Sequence, residues 1–371
     1  GERVQYYAQL NYLNNLGIYQ PTEENDGYST QLKYSKMNIR TNLDIKVSNT
    51  TKVKLNLLGV FSENNRPQSD ISDVFGALYQ VPSGAFPIKT SQDIWGGTTV
   101  YSNNPIANIA GSGYLRTQGR TLYADMSINQ DLNFLLPGLS ATVNVGYDSY
   151  GFYREGNVRT YAYQSAVKGW DGAADTYTKL REETDYEFST YLQTMDTHFN
   201  FNAQTNYDRS WGEHKLNAVL LYSMDKKMGR NQNNKYAFMD VVAQGHYTYK
   251  NRYILDFALS GSASSVLEPG NRWGIFPSIG AGWILSEEDW LKSDNLNLLK
   301  LRASYGIAGR ADFDANLYKY YFGSGNSYYF KDTPTSQSGM KEYRIAVDGL
   351  TYEKSHKLNV GVDLMVWNKL S

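Results

Sequence analysis

Hydrophobic and polar residues alternate with a period of two along most of the chain. The first alternating run covers residues 4–12, and similar runs cover 37–47, 53–61, 122–129, 139–148, 299–307 and 358–366. Successive side chains of a β-strand point to opposite faces, so each run predicts a strand with one apolar and one polar face. These runs are longer than the roughly five to six residues typical of strands in globular proteins. The pattern predicts an all-β fold.

Short and long connections alternate between the predicted strands. Short turns are expected near residues 49–51, 135–138, 208–213 and 250–251, and long loops near 16–33, 66–118, 154–185, 226–235 and 310–350. Tight turns at one end and long loops at the other are typical of outer-membrane β-barrels, and the count gives about twelve spanning strands. The segment 286–297 falls where a short turn is due, and it is predicted to form a capped helical turn.

The polar face of the predicted strands carries bulky and charged side chains. The charged residues expected on this face are Arg40, Asp44, Asp125, Asp148, Arg302 and Asp363. Such a face suits a wide lumen that holds water or a plug. About twelve long strands without a domain boundary would also be excessive for an open sheet in a soluble domain. The sequence therefore favours an antiparallel transmembrane β-barrel.

Aromatic residues gather near the short-turn ends of the predicted strands. They are Phe134, Tyr207, Trp211, Tyr249, Tyr253, Trp283, Trp290 and Trp367. Tyrosine and tryptophan are also good strand residues. Their clustering at one end favours an aromatic girdle at a membrane interface.

Composition narrows the function classes. The net charge of the 371 residues is −1, so no basic excess would attract nucleic acid. There are no cysteines, which excludes disulfides, thiolate metal sites and cysteine nucleophiles. The four histidines are not within a helical turn of one another, which disfavours a histidine metal site. Mean hydropathy is −0.54, and no stretch approaches the roughly 18 apolar residues of a transmembrane helix.

No arrangement of residues predicts catalysis, a metal or a cofactor. The adjacent acids Glu287, Glu288 and Asp289 are interpreted as acids in the first turn of a helix, where the helix dipole favours them. Residues 312–316 imitate the start of a calcium loop, but Leu317 and Gly323 stand where glycine and an acid are required. We therefore expect a protein that is not an enzyme.

Aromatic residues in the long loops are the candidates for ligand binding. They are Trp95, Tyr101, Trp170, Tyr320 and Tyr328. Aromatic rings with neighbouring amides and carboxylates suit sugar rings or peptide backbones. The alternative is that these rings pack against each other or against a partner protein.

Residues 271–310 resemble a specific family. The run 271–278 reads NRWGIFPS, and it is followed by Gly282-Trp283, by Ser286-Glu287-Glu288 and by LKLRASYG at 299–306. This order is similar to a signature of the SusC/RagA family of TonB-dependent outer-membrane transporters. Residues 249–254, 350–354, 359–363 and Asn104-Pro105 are similar to other stretches of the family. The segment 260–265 departs from it, because the arginine and aspartate of the usual R-x-DGSS motif are missing.

The resemblance implies more than the strand pattern does. It implies that residues 1–371 are part of one TonB-dependent receptor β-barrel domain, about 12 strands of a roughly 22-stranded barrel, without plug, signal peptide or C-terminal strands. It further implies import of glycans, oligosaccharides or peptides across the outer membrane of a Bacteroidetes-like Gram-negative cell. The implied partners are a SusD-like surface lipoprotein, outer-membrane lipid, and TonB through the absent plug segment.

Two other functions are compatible with the strand pattern. A soluble β-rich carbohydrate-binding module would fold cooperatively in plain buffer, whereas a barrel section would need detergent and would aggregate through unpaired sheet edges. A passive porin has the same hydropathy pattern as a transporter. An upstream plug in the full gene would distinguish the two.

Overall fold

The computed structural model describes residues 3–19, 27–229, 236–293, 295–330 and 335–367. It contains seventeen strands, two α-helices and one 3-10 helix within these residues. The strands are β1 (Val4–Leu16), β2 (Lys33–Lys46), β3 (Thr51–Pro67), β4 (Trp95–Gly96), β5 (Gly113–Asp131), β6 (Leu139–Val158), β7 (Tyr163–Val167), β8 (Thr176–Arg181), β9 (Glu187–Trp211), β10 (His214–Gly229), β11 (Tyr236–Tyr249), β12 (Tyr253–Ser264), β13 (Trp273–Ile284), β14 (Leu296–Arg310), β15 (Tyr321–Phe330), β16 (Thr335–Arg344) and β17 (Glu353–Val366).

Twelve of these strands form one antiparallel sheet. Its order is β1-β2-β3-β5-β6-β9-β10-β11-β12-β13-β14-β17, so each strand pairs with the sheet strands before and after it in the chain. The twelve strands predicted from alternation are confirmed, as is the all-β class. Because neighbours are joined in order, the chain advances around the sheet as the wall of an up-and-down barrel does.

The short connections lie at one end of the sheet, which we call the turn end. Lys250 and Asn251 both have φ of 53° between β11 and β12, and the Arg252 N–H donates to the Tyr249 carbonyl at 2.9 Å. Two consecutive residues with positive φ are typical of the type I′ turn, whose twist matches that of paired strands. The turn between β9 and β10 is equally short, since Trp211 pairs directly with His214.

The opposite end, here the loop end, contains more regular structure than alternation predicts. The helices α1 (Ile71–Gln80) and α2 (Pro105–Ala110) lie in the first long loop. Strand β4 of this loop pairs with β7 of the next one, and β7 pairs with β8, in a separate three-stranded sheet. Strands β15 and β16 form a hairpin within the loop expected at 310–350. Strands β4, β7 and β8 are too short for a long alternating run, and the ten-residue strands β15 and β16 do not alternate apolar with polar residues. The sequence pattern therefore does not predict them.

Two other boundaries differ from the prediction. Strand β10 continues to Gly229, so residues 226–229 of the loop expected at 226–235 are strand, and residues 230–235 lie outside the described residues. The helical turn expected at 286–297 is a 3-10 helix at Leu285–Glu287 without a hydrogen bond from a capping side chain. Glu288 is the residue after this helix, so the helix-dipole interpretation of this acid is wrong.

Candidate functional site

The twelve-stranded sheet has one apolar and one polar face. Its register places Tyr253 opposite Trp283, and Phe257 opposite Ile279. The apolar side chains of this face remain exposed, and Ile275 and Val360 show 67% and 74% of their surface. A continuous exposed apolar surface of this extent indicates an apolar environment around it.

The apolar face is tall enough to span the hydrocarbon core of a membrane. On β3 it covers residues 53–61, and the next position on the same face is Glu63, which forms an ion pair with Arg116 at 3.8 Å. A tilted transmembrane strand needs about 9–11 residues. The charged pair therefore marks the loop-end boundary of the apolar face on these strands.

The polar face holds the six charged residues that alternation assigned to it. Arg302 donates to Asp363 at 3.3 Å and to Asn359 at 3.2 Å. Asn56 donates to Asp125 at 3.0 Å across the β3–β5 pair. The Arg40 guanidinium donates to the Asn42 side chain at 3.3 Å, and Asp44 lies opposite Lys54 in the register. Contacts of this kind, across strands or along one strand, satisfy polar groups on the face.

The sixth residue, Asp148, belongs to a cluster that sequence reasoning missed. The His198 ring lies between two carboxylates: Nδ1 is 3.4 Å from Asp148, and Nε2 contacts Asp225. Alternation places each residue on the polar face. Only the pairing of β6 with β9 and of β9 with β10 brings the three together. The tight turn after Trp211 sets the β9–β10 register, whereas β6 and β9 are joined by a long loop, which sets none.

An aromatic ladder crosses the turn end. Trp211 stacks on His214 at 5.6 Å, and His214 lies 4.7 Å from Tyr249. Tyr249 stacks on Tyr253 and Tyr253 on Trp283, both at 6.2 Å between ring centroids. The ladder joins β9 to β13. Amphipathic rings in such a row are typical of the membrane–water interface.

Glu288 anchors one end of this ladder. Its carboxylate accepts hydrogen bonds from the Tyr253 hydroxyl at 2.7 Å and from the Trp283 indole N–H at 3.0 Å, and it pairs with Arg252 at 3.1 Å. Only 8% of the residue is exposed. The hydrogen bonds from Tyr253 and Trp283, with the Arg252 charge, lower the pKa of Glu288 from its ordinary value. The carboxylate is therefore a structural acceptor.

A second cluster joins signature residues at the loop end. The Tyr352 hydroxyl donates to the carbonyls of Ser262 at 2.9 Å and Arg272 at 3.1 Å. Its ring packs edge-on against Phe276 at 5.1 Å. Burial, with a smaller contribution from the Asp240 charge, raises the pKa of Tyr352 to about 12. Both clusters use residues of the family-like segments, so these segments hold neighbouring strands together.

Trp95 lies in the core of the loop layer, which is the helices α1 and α2 with the sheet of β4, β7 and β8. It is 9% exposed, and it packs against Tyr161 at 6.4 Å with the Lys89 ammonium 4.7 Å over its ring. Burial in this core removes Trp95 from the accessible ligand-binding candidates, because a ligand cannot reach its faces.

Asn104 holds the same layer together. Its side chain accepts from the N–H groups of Ile106 and Ala107, which begin α2. It also donates to the carbonyls of Ile88 at 2.9 Å and Gly96 at 3.0 Å. The Asn-Pro pair is therefore an N-cap followed by proline at the first helical position.

The other aromatic candidates lie on the loop surfaces. Tyr101 closes a turn with Thr98, and Trp170 is 90% exposed between β7 and β8. Tyr320 stacks on Phe322 at 6.3 Å beside the β15–β16 hairpin, and Tyr328 is 60% exposed on β15. The four residues belong to two separate loop structures, and three of them present accessible rings.

Two further properties concern the described part of the chain. Its residues include no group of three or more histidines and acids placed to hold a metal ion. None of its helices has the length and apolarity needed to cross a membrane.

Comparison with known proteins identifies relatives but no matching family model. A TonB-dependent receptor of Formosa agariphila is 23% identical over 394 residues, covering 100% of this chain and 35% of that protein. The TonB-dependent receptor SusC of Bacteroides thetaiotaomicron is 27% identical over 263 residues, which is 64% of this chain and 24% of SusC. The chain therefore spans about a third of the first relative's length.

Solved structures support the fold. A chain of the RagAB peptide transporter superimposes with a TM-score of 0.58 at 14% identity, covering 99% of this chain and 41% of that one. The same transporter in its open-open state gives a TM-score of 0.58 at 15% identity. At this level of identity the likeness supports the barrel architecture alone.

Proposed function

Because the chain belongs to the SusC/RagA family of TonB-dependent receptors, we propose that it forms part of the wall of a nutrient importer. It lies in the outer membrane, as its relatives do. The proposed activity is uptake of a solute too large for passive diffusion, driven through TonB. The wall itself performs no reaction.

The observation that carries this proposal is the two-faced sheet. Its apolar face suits lipid, and its opposite face carries paired charges such as Arg302 with Asp363. A water-filled or plugged lumen needs a polar wall, because charges without water or partners are costly. A two-faced sheet alone would suit a passive pore as well as an energised transporter. The family likeness is what favours transport driven through TonB.

We further propose that residues 1–371 belong to one barrel domain. Supporting this, the twelve strands pair in chain order without a second large sheet among the described residues. The TonB contact is assigned to a plug segment elsewhere in the whole protein.

The proposed substrates are oligosaccharides or peptides, and the proposed partner at the loop end is a SusD-like surface lipoprotein. The similarity to SusC and to the RagAB peptide transporter supports a nutrient transporter, and the second title names a peptide as its substrate. The oligosaccharide and the lipoprotein are proposed from the family resemblance. The exposed loop rings of Trp170, Tyr320 and Tyr328 are proposed to contact the substrate or this lipoprotein, and Tyr101 is assigned to the same surface.

Uptake by cells that express the full-length protein tests the proposal. Deleting the gene is expected to abolish uptake of at least one labelled oligosaccharide or peptide, and deleting tonB should have the same effect. Uptake that persists without TonB would indicate a passive pore. Recovery of the protein in the soluble fraction would instead support a soluble binding module.

A further inference from the structure

The polar face of the sheet contains a cavity of about 380 Å³ near the loop end. One row of its lining crosses five neighbouring strands. In this row Tyr123 lies opposite Asp148, Asp148 opposite His198, His198 opposite Lys227, and Lys227 opposite Tyr236. The row above it adds Tyr150 and Asp196, which are also paired. The cavity is within the size range of small-molecule sites.

Neighbouring side chains hold part of the cavity lining in place. Phe152 packs edge-on against Tyr150 with ring centroids 4.8 Å apart. Asp148 and Asp225 hold the two nitrogens of His198. The Thr194 hydroxyl donates to Asp196 at 3.4 Å. Lining groups whose positions are fixed by neighbours lose little conformational entropy when a ligand binds.

The tyrosine rings keep their polar ends available. Tyr123 and Tyr150 expose 47% and 38% of their surface. Within the described part of the chain, no residue forms a hydrogen bond with either hydroxyl. The cavity thus offers ring faces, tyrosine hydroxyls, fixed carboxylate acceptors and the Lys227 ammonium as a donor. This combination matches a ligand with an apolar ring face and hydroxyl groups at its edge.

The backbone around the cavity favours such a ligand over an extended peptide. Strands β5, β6, β9, β10 and β11 are paired on both sides, so their N–H and C=O groups are used within the sheet. Peptides that bind to sheets obtain most of their affinity from main-chain hydrogen bonds to an open edge. Only side chains can recognise a ligand on this face.

We infer that this cavity is a binding subsite on the barrel wall for neutral sugar units of an oligosaccharide. The inference rests on the proposed transport function and makes it more specific. In the subsite the Tyr123 and Tyr150 rings pack against the sugar ring, and Asp148, Asp196 and Lys227 bond its hydroxyls.

Titration calorimetry on the detergent-solubilised full-length protein tests the subsite. The probes are neutral gluco-, manno-, xylo- and galacto-oligosaccharides, with tetra-alanine as the peptide comparator. At least one oligosaccharide is expected to bind. The Tyr150→Ala variant should bind it roughly tenfold more weakly, as expected for loss of an anchoring aromatic ring. Tyr150→Phe keeps the ring and should lose less.

Tyr147→Ala is the matched control. Tyr147 lies on the same strand as Tyr150 and exposes 41% of its surface, but it belongs to the apolar face. Its replacement should leave the affinity within about twofold, well below a tenfold effect. If Tyr150→Ala does not fold, as judged by heat-dependent gel mobility, Tyr123→Ala replaces it.

Three results would overturn the subsite: no probe binds the unchanged protein, Tyr147→Ala weakens binding equally, or tetra-alanine binds and depends on Tyr150. Uptake by whole cells shows whether the subsite proposal alone is wrong or whether the transport proposal is wrong as well. Normal TonB-dependent uptake by cells carrying Tyr150→Ala would reject the subsite alone. Absence of uptake of every substrate by wild-type cells would reject transport itself.

Discussion

The residues of the family signature owe their position to contacts between strands. Three side chains donate hydrogen bonds to the Glu288 carboxylate. They are Arg252 in the turn before β12, Tyr253 at the start of β12, and Trp283 near the end of β13. One carboxylate satisfies a guanidinium, a hydroxyl and an indole at the membrane interface. Charge-assisted hydrogen bonds of this kind are stronger than neutral ones, so a motif spread over 37 positions (252–288) acts as one structural unit.

Replacing Glu288 should therefore lower the thermal stability of the protein. Glu288→Gln removes the negative charge that pairs with Arg252. It also places an amide N–H₂, which is a donor, among the donors of Arg252, Tyr253 and Trp283. We expect a lower temperature of unfolding in detergent micelles, followed by intrinsic fluorescence. Glu287→Gln is the control, because Glu287 is exposed at the adjacent position. Equal effects of the two variants would contradict the clamp.

The same carboxylate predicts a pH dependence. Hydrogen bonds from Tyr253 and Trp283 lower the pKa of Glu288 in the folded protein from its ordinary value. A depressed pKa stabilises the fold above the unfolded-state value, and this contribution disappears as the pH falls through the folded-state value. Unfolding temperatures measured from pH 7 downward should thus converge for wild type and Glu288→Gln once Glu288 is protonated. A constant difference at all pH values would argue against this role.

Elements at the two ends of the sheet are specified in different ways. At the turn end, Gly138 has φ of 90°, and a Cβ there would lie 2.0 Å from the Asp208 carbonyl oxygen of β9. At the loop end, Asn104 caps α2 and bonds the backbone of two other segments. Gly138 thus permits a close approach of two backbone segments, whereas Asn104 forms a buried network of side-chain hydrogen bonds.

Gly138→Ala should be more destabilising than the same change at Gly212. Both glycines have positive φ, but nothing lies within 4 Å of a Cβ at Gly212. Gly212→Ala adds only backbone strain of about 1 kcal/mol, whereas Gly138→Ala also forces the β6 and β9 backbones apart, at an additional cost of about 1–3 kcal/mol. Urea unfolding in lipid vesicles measures both. Similar losses at the two sites would contradict the clash.

Asn104→Ala should loosen the loop layer while the twelve-stranded sheet stays folded. Loss of an N-cap costs about 0.5–2 kcal/mol, and the carbonyls of Ile88 and Gly96 lose their donor as well. We expect faster proteolysis within residues 68–112 and unchanged heat-dependent mobility of the barrel. The neighbouring Asn103→Ala serves as control because Asn103 is exposed. Unfolding of the whole sheet by Asn104→Ala would show that the layer and the sheet are one cooperative unit.

At the scale of the whole molecule, the two faces of the sheet separate lipid from lumen. Phe257 and Ala258 are adjacent on β12, and alternation puts them on opposite faces. Phe257 lies between Ile279 and Gly245 in the middle of the apolar face. Neighbouring positions should therefore respond very differently to a charge.

Phe257→Arg should prevent stable insertion, and Ala258→Arg should be tolerated. Arginine on the lipid face near the bilayer midplane costs about 2–4 kcal/mol, whereas a lumenal arginine stays in water or finds polar partners. The amount of folded protein in outer-membrane fractions measures the difference. Insertion of both variants to the same level would show that the apolar face does not contact lipid.

The sequence by itself determined the fold class, the number of sheet strands and the face of each residue. Alternation contains this information because a strand has a fixed period of two, whatever it pairs with. For the same reason Arg302 and Asp363 could be placed on one face before their contact was known.

Only the tertiary structure decided which residues meet. The loop layer buries Trp95, which in sequence looks like an accessible loop aromatic. His198 reaches Asp148 and Asp225, residues 50 and 27 positions away. The register of strands joined by long loops, and the packing of those loops, depend on contacts between segments distant in the chain, which a local pattern does not specify.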